Sequence, residues 1–385
     1  MIAAARVTII VLNWNRRDET LVCLDSLERA ALEGAAILVV DNGSRDGSVE
    51  AIREQYPAVR IVALPENQGY AGGNNAGIRA ALEAGAEAVL LLNNDTFVAP
   101  DFLWHLLGLL NSDEQIAAVS SAVLRADSPE VLDCAYLELY WGHGIVHRVG
   151  MNALPGEGYD VVKPVDVAVG CSLLIRAAAL RDVGLFDETY FAYHEEVDWC
   201  YRAHQKGYLI YFQPYSRVWH HGSRSTDALV KRRPRPRALD DRPQLPNPIA
   251  LSWNPVRTYL GARNTVRFVQ HHGSREQKRF FLRSSLYQVP LAFLAALMER
   301  EEEIMMGIWT YRRAVAVYFF PRHGEAGRRL AGHLLRLPVR LFWTFPADVW
   351  RAHRAGRTAQ VRELVRGLWD WYRGRPLPLE RLGLR

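Results

Sequence analysis

Three acidic side chains are crowded together near the middle of the chain, directly after the aromatic run 190–193. They are Glu195, Glu196 and Asp198. Crowded carboxylates repel one another, so the pKa of one of them rises, which suits a general base. The start of a helix also favours acids through its dipole, but this structural role accounts for one of the three and not for all. The cluster therefore predicts general-base chemistry.

A single acid, Asp95, follows the apolar run 90–92 and two asparagines. Because hard cations take oxygen ligands, Asp95 is suited to hold Mg²⁺ or Mn²⁺ against a diphosphate. The alternative is that Asp95 caps the next helix, although Asp101 is better placed for that role. His220 and His221 could complete the metal site, since imidazole favours Mn²⁺ over Mg²⁺, or could be structural.

Two polar turns indicate a nucleotide site. In the turn 40–48, Asp41 can accept a hydrogen bond from a base or a ribose, or else Ser44 and Asp46 simply cap the following helix. The segment 67–77 predicts a glycine-rich loop that leads into a helix, whose exposed amides suit a diphosphate. Its spacing differs from a dinucleotide-binding fingerprint, and a plain turn is the alternative.

The first hundred residues alternate between strand and helix patterns, which predicts a parallel sheet with helices on both faces. The predicted strands are 7–12, 36–40, 60–64 and 88–92, and the predicted helices are 18–30, 46–56 and 73–84. Ligands bind beyond the carboxyl ends of such strands, and the polar residues 13–15, 41–44 and 93–95 fall there. Further along, 102–110 predicts a helix, and the apolar run 165–175 predicts a strand near the pocket.

The net charge of +5 conceals an uneven distribution. Residues 1–230 contain 17 Lys and Arg against 30 Asp and Glu, whereas residues 231–385 contain 30 against 12. A Pro- and Arg-rich loop is predicted at 227–255, across the boundary between these parts, and is followed by basic, aromatic helices over 256–385. Such helices can lie in a membrane interface, pack on the catalytic domain or contact a second subunit. No nucleic-acid reading motif is present.

The rest of the composition is that of an ordinary globular protein. The four cysteines are scattered without a Cys-x-x-Cys pair, which argues against a disulfide framework or a zinc ribbon and fits a reduced cytosolic setting. No apolar run reaches the roughly 18 residues that a membrane-spanning helix needs.

Taken in order, these motifs resemble glycosyltransferase family 2 enzymes with the GT-A fold, and most of all the bacterial rhamnosyltransferase-type branch. The resemblance covers roughly residues 6–226. The matching segments are 11–15, 40–48, 67–77, 92–96, 170–174, 184–202 and 220–225.

The resemblance implies an α/β, Rossmann-like GT-A domain over 1–226, with a nucleotide-sugar half at 1–98 and an acceptor half at 99–226. It implies inverting transfer of a sugar from a nucleotide-diphosphate sugar to a hydroxyl of a glycan or lipid-linked acceptor in cell-envelope synthesis. We therefore expect a cytoplasmic protein, peripheral at the inner face of the membrane, that binds an anionic membrane surface, could form a homo-oligomer and binds no nucleic acid.

The resemblance also implies roles for individual residues. The donor-binding residues would be Asn13, Asn15, Asp41, Asn42, Gly69, Asn74, Asn94 and Asp95. The metal ligands would be Asp95 and His220, binding Mg²⁺ or Mn²⁺. Asn93 replaces the first acid of the family's Asp-x-Asp motif, so fewer charges would hold the metal.

On the acceptor side, Glu196 falls where the family has its catalytic Asp. Glu195 is a rival base, and Asp198 would orient the site. The acceptor-binding residues would be Tyr193, Trp199 and Arg202.

Two other classes of function remain open. One is a nucleotidyltransferase of related fold, although 13–17 lacks the glycines that such enzymes have after the first strand. The other is a non-catalytic nucleotide-sugar-binding protein, although Asp95 and both glutamates are present. Rhamnose, carried by dTDP-rhamnose, is the donor sugar expected from the branch, while galactofuranose, glucose and N-acetyl sugars stay open.

Overall fold

A computed structural model describes residues 1–140, 145–221, 255–279, 281, 362–363, 365–367, 369–370 and 373–384. The chain divides into two compact units. The first comprises Met1–Tyr140, Val146–Arg242 and Leu377–Arg385, and the second comprises Trp141–Ile145 and Pro243–Pro376. Almost all of the predicted loop 227–255 lies outside the described residues, as does most of the basic region 256–385. The predicted domain boundaries stay predictions.

The first hundred residues fold as the alternation predicts. The strands are β1 (Val7–Asn13), β2 (Ala36–Asp41), β3 (Arg60–Ala63) and β4 (Ala88–Asn93), and the helices are α1 (Arg17–Glu28), α2 (Ser48–Gln55) and α3 (Gly69–Glu83). The strands are parallel in the order β4-β1-β2-β3. β1 and β4 are almost entirely buried, as expected of strands covered on both faces.

Helix α3 begins four residues earlier than predicted, so the predicted glycine-rich loop is wrong over 69–72. The glycines let the helix lie close to the sheet. A methyl group on Gly73 would come within 2.5 Å of Leu12, and one on Gly77 within 2.7 Å of Ile10. Helix propensity disfavours glycine, but close packing on β1 overrides it.

The second half of this unit extends the same sheet with strands of mixed direction. Its strands are β5 (Thr96–Val98), β6 (Ile116–Arg125), β7 (Ser128–Cys134), β8 (Tyr136–Tyr140), β9 (Ile145–Val149), β10 (Lys163–Pro164), β11 (Ser172–Arg176) and β12 (Leu209–His220). Its helices are α4 (Phe102–Leu110), α5 (Ala177–Val183) and α6 (Glu195–Gln205). β11 joins the halves, because it pairs antiparallel with both β4 and β6. β8 and β9 form a separate two-stranded sheet.

In the described part of the second unit, the main element is the 18-residue helix α7 (Pro255–His272). The Tyr259 hydroxyl in this helix donates to Asp370 Oδ2 at 3.0 Å. Across the described ranges, none of the helices is both long enough and apolar enough to cross a membrane.

All four cysteines are buried free thiols: Cys23, Cys134, Cys171 and Cys200. Burial raises the pKa of Cys23 and of Cys200 to about 12, and the neighbouring groups that lower these pKa values have smaller effects. They serve as small apolar side chains in the core.

Candidate active site

The polar ends of β1, β2 and β4 meet at one edge of the sheet. Asn13 pairs in register with Asp41, and Leu12 pairs with Asn93. This edge is where an open α/β sheet binds its ligands. The residues predicted from the strand ends are therefore brought together.

Asn13 is the centre of a buried polar network at this edge. Its amide donates to Asp41 Oδ1 at 2.8 Å and to Ser44 Oγ at 3.1 Å. Its carbonyl oxygen accepts from Thr20 at 2.9 Å and from Asn94 at 3.2 Å. Because buried polar groups need partners, this network fixes the turn after each strand. Three predicted donor-binding residues thus hold one another, and their contact with a nucleotide stays a prediction.

Asn15 is the exposed member of the predicted donor-binding set. Its backbone is left-handed, with φ 52°, and its side-chain oxygen accepts from the Arg45 amide at 2.8 Å. Ser44 binds the Asn15 amide at 2.9 Å rather than capping α2. The alternative capping role predicted for Ser44 is therefore wrong, while Asp46 does accept from the Ser48 amide at 3.2 Å.

A second turn lies beside this network and leads into α3. Asn42 donates to Asn67 Oδ1 at 2.9 Å and to the Gly69 carbonyl at 3.0 Å. Asn74 is buried and donates to the Tyr70 carbonyl at 2.9 Å. These predicted donor-binding residues form the frame of the turn.

The start of α3 touches the loop that precedes the acidic cluster. Gly69 has φ 74°, and a methyl group on it would come within 2.4 Å of the Phe191 carbonyl oxygen. That carbonyl accepts from the Ala71 amide at 3.0 Å. Only glycine fits this approach without a shift of backbone. The start of α3 and the loop that leads into the acidic helix therefore contact each other directly.

Asp95 and His220 lie together, as the predicted metal pair requires. His220 Nε2 is 3.2 Å from Asp95 Oδ1, and His220 Nδ1 is 3.3 Å from Asp133 Oδ2. Burial lowers the pKa of His220, but the charges of Asp95 and Asp133 outweigh it and raise that pKa to about 10. Burial raises the pKa of Asp95, yet the imidazolium of His220 outweighs it, and the net pKa is lowered.

The residue types at this pair fit a divalent cation that is shared with a ligand. A carboxylate and an imidazole suit Mn²⁺ or Mg²⁺. Among the described residues, however, no group of three His, Cys, Asp or Glu side chains is arranged to hold a metal by itself. Asp95 and His220 would thus contribute two ligands, with the remainder from phosphate oxygens and water.

Asp133 and Arg148 belong to the site and carry no sequence motif that could have identified them. Arg148 Nη2 donates to Asp133 Oδ2 at 3.1 Å, so the ion pairs run from Asp95 through His220 and Asp133 to Arg148. Asp133 is the penultimate residue of β7, and Arg148 lies on β9. The positive charge of Arg148 acts on Glu196, where it opposes the effect of burial on the pKa.

Helix α6 begins at Glu195 after a strained loop. Phe191, Tyr193 and His194 have φ values of 63°, 70° and 77°, in the left-handed region that non-glycine residues rarely adopt. Each such residue costs on the order of 1–3 kcal/mol, and such strain concentrates at functional sites. Burial lowers the pKa of His194 to about 4, so its imidazole is neutral.

The buried Glu195 and the half-buried Glu196 form a carboxyl pair at the start of α6. Burial and the charge of Glu196 raise the pKa of Glu195 well above its ordinary value. Burial also raises the pKa of Glu196, while a hydrogen bond from Glu195 lowers it. The pKa of both glutamates is raised, and that of Glu195 the more strongly, so Glu195 keeps its proton more readily than Glu196. One oxygen of each, Oε2, is buried and lacks a hydrogen-bond partner among the described residues.

Tyr70 stands next to this pair and was missed by the sequence reasoning. Its hydroxyl donates to the Gly170 carbonyl at 2.7 Å. A methyl group on Gly170 would lie 3.4 Å from that hydroxyl and 3.6 Å from Glu196 Cγ. Burial, then the charges of Glu195 and Glu196, raise the pKa of Tyr70 well above its ordinary value.

Asp198 is held away from the carboxyl pair by other partners. Its Oδ2 accepts from Arg202 Nε at 2.7 Å, which confirms the i,i+4 pair on the helix. Its Oδ1 accepts from the Tyr190 hydroxyl at 3.4 Å. Arg202 also donates to the backbone carbonyls of Val183 and Leu185. These contacts suit an orienting role for Asp198.

The acceptor contact predicted for Trp199 requires a correction, whereas the one predicted for Arg202 stays a prediction. Trp199 is 0% exposed, and its indole N–H donates to the Gly184 carbonyl at 2.8 Å. The Arg202 guanidinium is occupied by Asp198 and two carbonyls, so both side chains anchor α6. Tyr193 is half-buried beside the carboxyl pair, and its acceptor contact stays a prediction.

Comparison with known proteins agrees with this geometry. Residues 8–136 match the sequence model described as glycosyl transferase family 2. The chain is 28% identical over 209 residues to the low-salt glycan biosynthesis hexosyltransferase Agl10 of Haloferax volcanii. The aligned region covers 53% of this chain and 63% of that protein. It is 29% identical over 221 residues to the N-acetylglucosaminyl-diphospho-decaprenol L-rhamnosyltransferase of Mycobacterium tuberculosis, covering 53% and 72%.

Among solved structures, the chain resembles a mannosyltransferase from Pyrobaculum calidifontis in complex with GDP-Man and Mn²⁺. The TM-score is 0.50 and the sequence identity 17%, with 95% of this chain and 87% of that one covered. The fold is that of the GT-A glycosyltransferases. Over residues 8–136 the chain is thus similar to glycosyl transferase family 2, and the named relatives are glycosyltransferases.

Proposed function

We propose that the protein transfers a sugar from a nucleotide-diphosphate sugar to a hydroxyl group of a glycan or lipid-linked acceptor, with inversion at the anomeric carbon. The observation that carries this proposal is the Glu195–Glu196 carboxyl pair, of which Glu195 is buried and Glu196 half-buried. Glu196, the more readily ionised member, has an oxygen without a hydrogen-bond partner among the described residues. A row of ion pairs runs from Asp95 through His220 and Asp133 to Arg148, and the charge of Arg148 acts on Glu196.

The donor nucleotide would lie along the polar edge formed by β1, β2 and the start of α3. Asp41 ends β2 there, Asn15 follows β1, and the N-terminus of α3 brings a partial positive charge to this edge. The mannosyltransferase that shares the fold was crystallised with GDP-Man, which supports a nucleotide sugar as donor.

Asp95 and His220 would hold a divalent cation beside the diphosphate. When bound, the cation supplies positive charge against the leaving diphosphate. The pairing of His220 with Asp133 would fix the ring and leave Nε2 directed at Asp95. The Mn²⁺ in the mannosyltransferase supports this assignment.

Glu196 would act as the general base. Its carboxylate removes the proton of the acceptor hydroxyl while the oxygen forms a bond to the anomeric carbon. The bond from that carbon to the diphosphate breaks on the opposite face, so the configuration inverts. Glu195 stays protonated and donates to Glu196, which keeps the charge on the base.

The finer identity of the substrates rests on the relatives. The mycobacterial relative is named as an L-rhamnosyltransferase that acts on a diphospho-decaprenol-linked sugar. This supports rhamnose as the donor sugar and a lipid-linked acceptor, and the haloarchaeal hexosyltransferase keeps other hexoses open. A lipid-linked acceptor would place the protein at the inner face of the membrane.

A screen of nucleotide sugars tests the proposal. The full chain is incubated with UDP-, GDP- and dTDP-linked sugars, with and without Mn²⁺, and release of the nucleoside diphosphate is measured, with Glu196→Gln as the matched control. We expect release from one donor, stimulated by Mn²⁺ and by an acceptor. Binding of nucleotide without turnover would indicate a binding protein, and release of pyrophosphate from a sugar phosphate and a nucleoside triphosphate would indicate a nucleotidyltransferase.

A further inference from the structure

The segment 377–384 folds back on itself into a compact turn within the first unit. The Leu382 amide donates to the Pro378 carbonyl at 3.1 Å, and the Leu384 amide donates to the Leu379 carbonyl at 2.9 Å. Leu382 and Leu384 are 6% and 3% exposed, although they lie in a short turn with exposed neighbours. Two leucines buried from so short a segment indicate that the turn packs against other parts of the chain.

One hydrogen bond identifies where the segment docks. Asn67 Nδ2 donates to the Leu384 carbonyl at 2.9 Å, and the bond is buried. The side-chain oxygen of Asn67 accepts from Asn42 Nδ2 and from the Gly69 amide, each at 2.9 Å. A single buried amide thus ties together three separate parts of the chain: the turn after β2, the start of α3 and the segment 377–384.

The turns that Asn67 joins leave little freedom for rearrangement. A methyl group on Gly43 would lie 2.7 Å from the Glu66 backbone, so the two turns are in close backbone contact. Asn42 follows Asp41 directly, and its backbone N–H donates to the backbone carbonyl oxygen of Asn13 at 2.8 Å. The docked segment is therefore connected through two side chains to the residues at the nucleotide edge.

We infer that the segment 377–384 is a positioning element of the nucleotide site, which holds the turn at 66–69 against the turn at 42–43 in the conformation that binds the donor. The inference rests on the proposed function, since it takes this edge as the nucleotide site. Preorganised loops bind a ligand more tightly because they lose less conformational freedom on binding. The segment acts through Asn67 and Asn42, and touches no reacting atom.

Two substitutions break the docking from opposite sides. Asn67→Asp keeps the oxygen that accepts from Asn42 and Gly69, but replaces the donating amide with a carboxylate oxygen facing the Leu384 carbonyl. Leu384→Asp leaves Asn67 unchanged and places a charge at a buried position of the segment. Glu380→Gln is the matched control, because Glu380 is an exposed side chain of the same segment.

Calorimetric titration of the full-length variants with UDP, GDP and dTDP measures the effect. We expect both disrupting variants to raise the Kd of the nucleotide that the unaltered protein binds by roughly tenfold, as for loss of a buried hydrogen bond, and Glu380→Gln to leave it unchanged. Folded variants, with the far-ultraviolet spectrum retained, that bind with unchanged or improved Kd would overturn the inference. If the unaltered protein binds none of the three nucleotides, the proposed function fails and this inference with it.

A second measurement uses the unaltered protein, so its outcome does not depend on whether the variants fold. Coupling between two sites is reciprocal, so a segment that favours nucleotide binding must be stabilised by the nucleotide. Hydrogen exchange followed by mass spectrometry should show slower exchange of the Leu382 and Leu384 amides when the nucleotide is bound. Unchanged exchange in this segment at saturating nucleotide would contradict the inference.

Discussion

The nucleotide edge, at the ends of β1, β2 and β4, and the acidic loop, residues 191–194 with the carboxyl pair that follows, differ in whether their polar groups have hydrogen-bond partners. At the nucleotide edge, the buried side chains of Asn13 and Asp41 are hydrogen-bonded to one another and to their neighbours. At the acidic loop, the carboxyl pair leaves buried oxygens without partners among the described residues, and the backbone before it is strained at three non-glycine positions.

The nucleotide edge therefore has the features of a rigid frame, and the carboxyl pair has those of a reactive centre. Satisfied polar groups in a buried network hold one arrangement, which suits the binding of a ligand that must be oriented. Unsatisfied carboxyls that follow a strained loop are unfavourable for the fold, and such groups persist where chemistry uses them. Substitutions on the acidic side should therefore reduce turnover, whereas substitutions in the frame should reduce stability.

The largest effect is expected from Glu196→Gln. It removes the carboxylate that would take the acceptor proton and should lower kcat by about 10²- to 10⁴-fold, with the melting temperature nearly unchanged. Glu195→Gln is the matched variant. Because Glu195 keeps its proton more readily than Glu196, the amide can replace it with a smaller loss. Steady-state transfer assays compare the two, and the reverse ranking would assign the base to Glu195.

The next largest effect is expected from Asp133→Asn. Asp133 binds Nδ1 of His220, and loss of such a partner of a metal-ligating histidine typically weakens metal binding by about 10- to 100-fold. The concentration of Mn²⁺ that gives half-maximal activity should rise accordingly. An unchanged Mn²⁺ dependence would mean that His220 is not a ligand.

In the frame, Asn13→Ala should destabilise the fold. It leaves the Asp41, Thr20 and Asn94 side chains each without one partner, and an unsatisfied buried group costs about 1–3 kcal/mol in the free energy of unfolding. Urea unfolding measures the change. A large loss of kcat with unchanged stability would erase the distinction between the two regions.

The smallest effect is a shift in pH dependence from Arg148→Met. The guanidinium lowers the pKa of Glu196, so its removal should raise that pKa. A higher pKa leaves less carboxylate at a given pH, and the acid limb of the kcat/KM profile should move to higher pH. Arg148→Lys, which keeps the charge, should shift the limb less. A profile that does not move in Arg148→Met would show that Arg148 does not act on the base.

The sequence predicted the parts of this arrangement that depend on neighbouring residues. Strand and helix periodicity located β1 to β4, and the crowding of Glu195 and Glu196 was visible because they are adjacent. Asp133, Arg148 and Tyr70 could not be found in this way, because each gains its partner through tertiary pairing of distant segments.

Two other features were invisible for similar reasons. The start of α3 at Gly69 depends on packing against the Phe191 carbonyl, which no local propensity encodes. The bond from Asn67 to the Leu384 carbonyl joins residues 317 positions apart. Conversely, the acceptor contact predicted for Trp199 followed from its position in the motif, and the burial of this side chain was not readable from it.

The four buried thiols make this chain convenient for site-specific labelling. Maleimide dyes react with the thiolate, and burial keeps these cysteines inaccessible and protonated at neutral pH. A single cysteine introduced at an exposed position such as Glu380 should thus be modified alone, without prior removal of the native ones. Fluorescence from that dye would report how the protein responds to its substrates in real time.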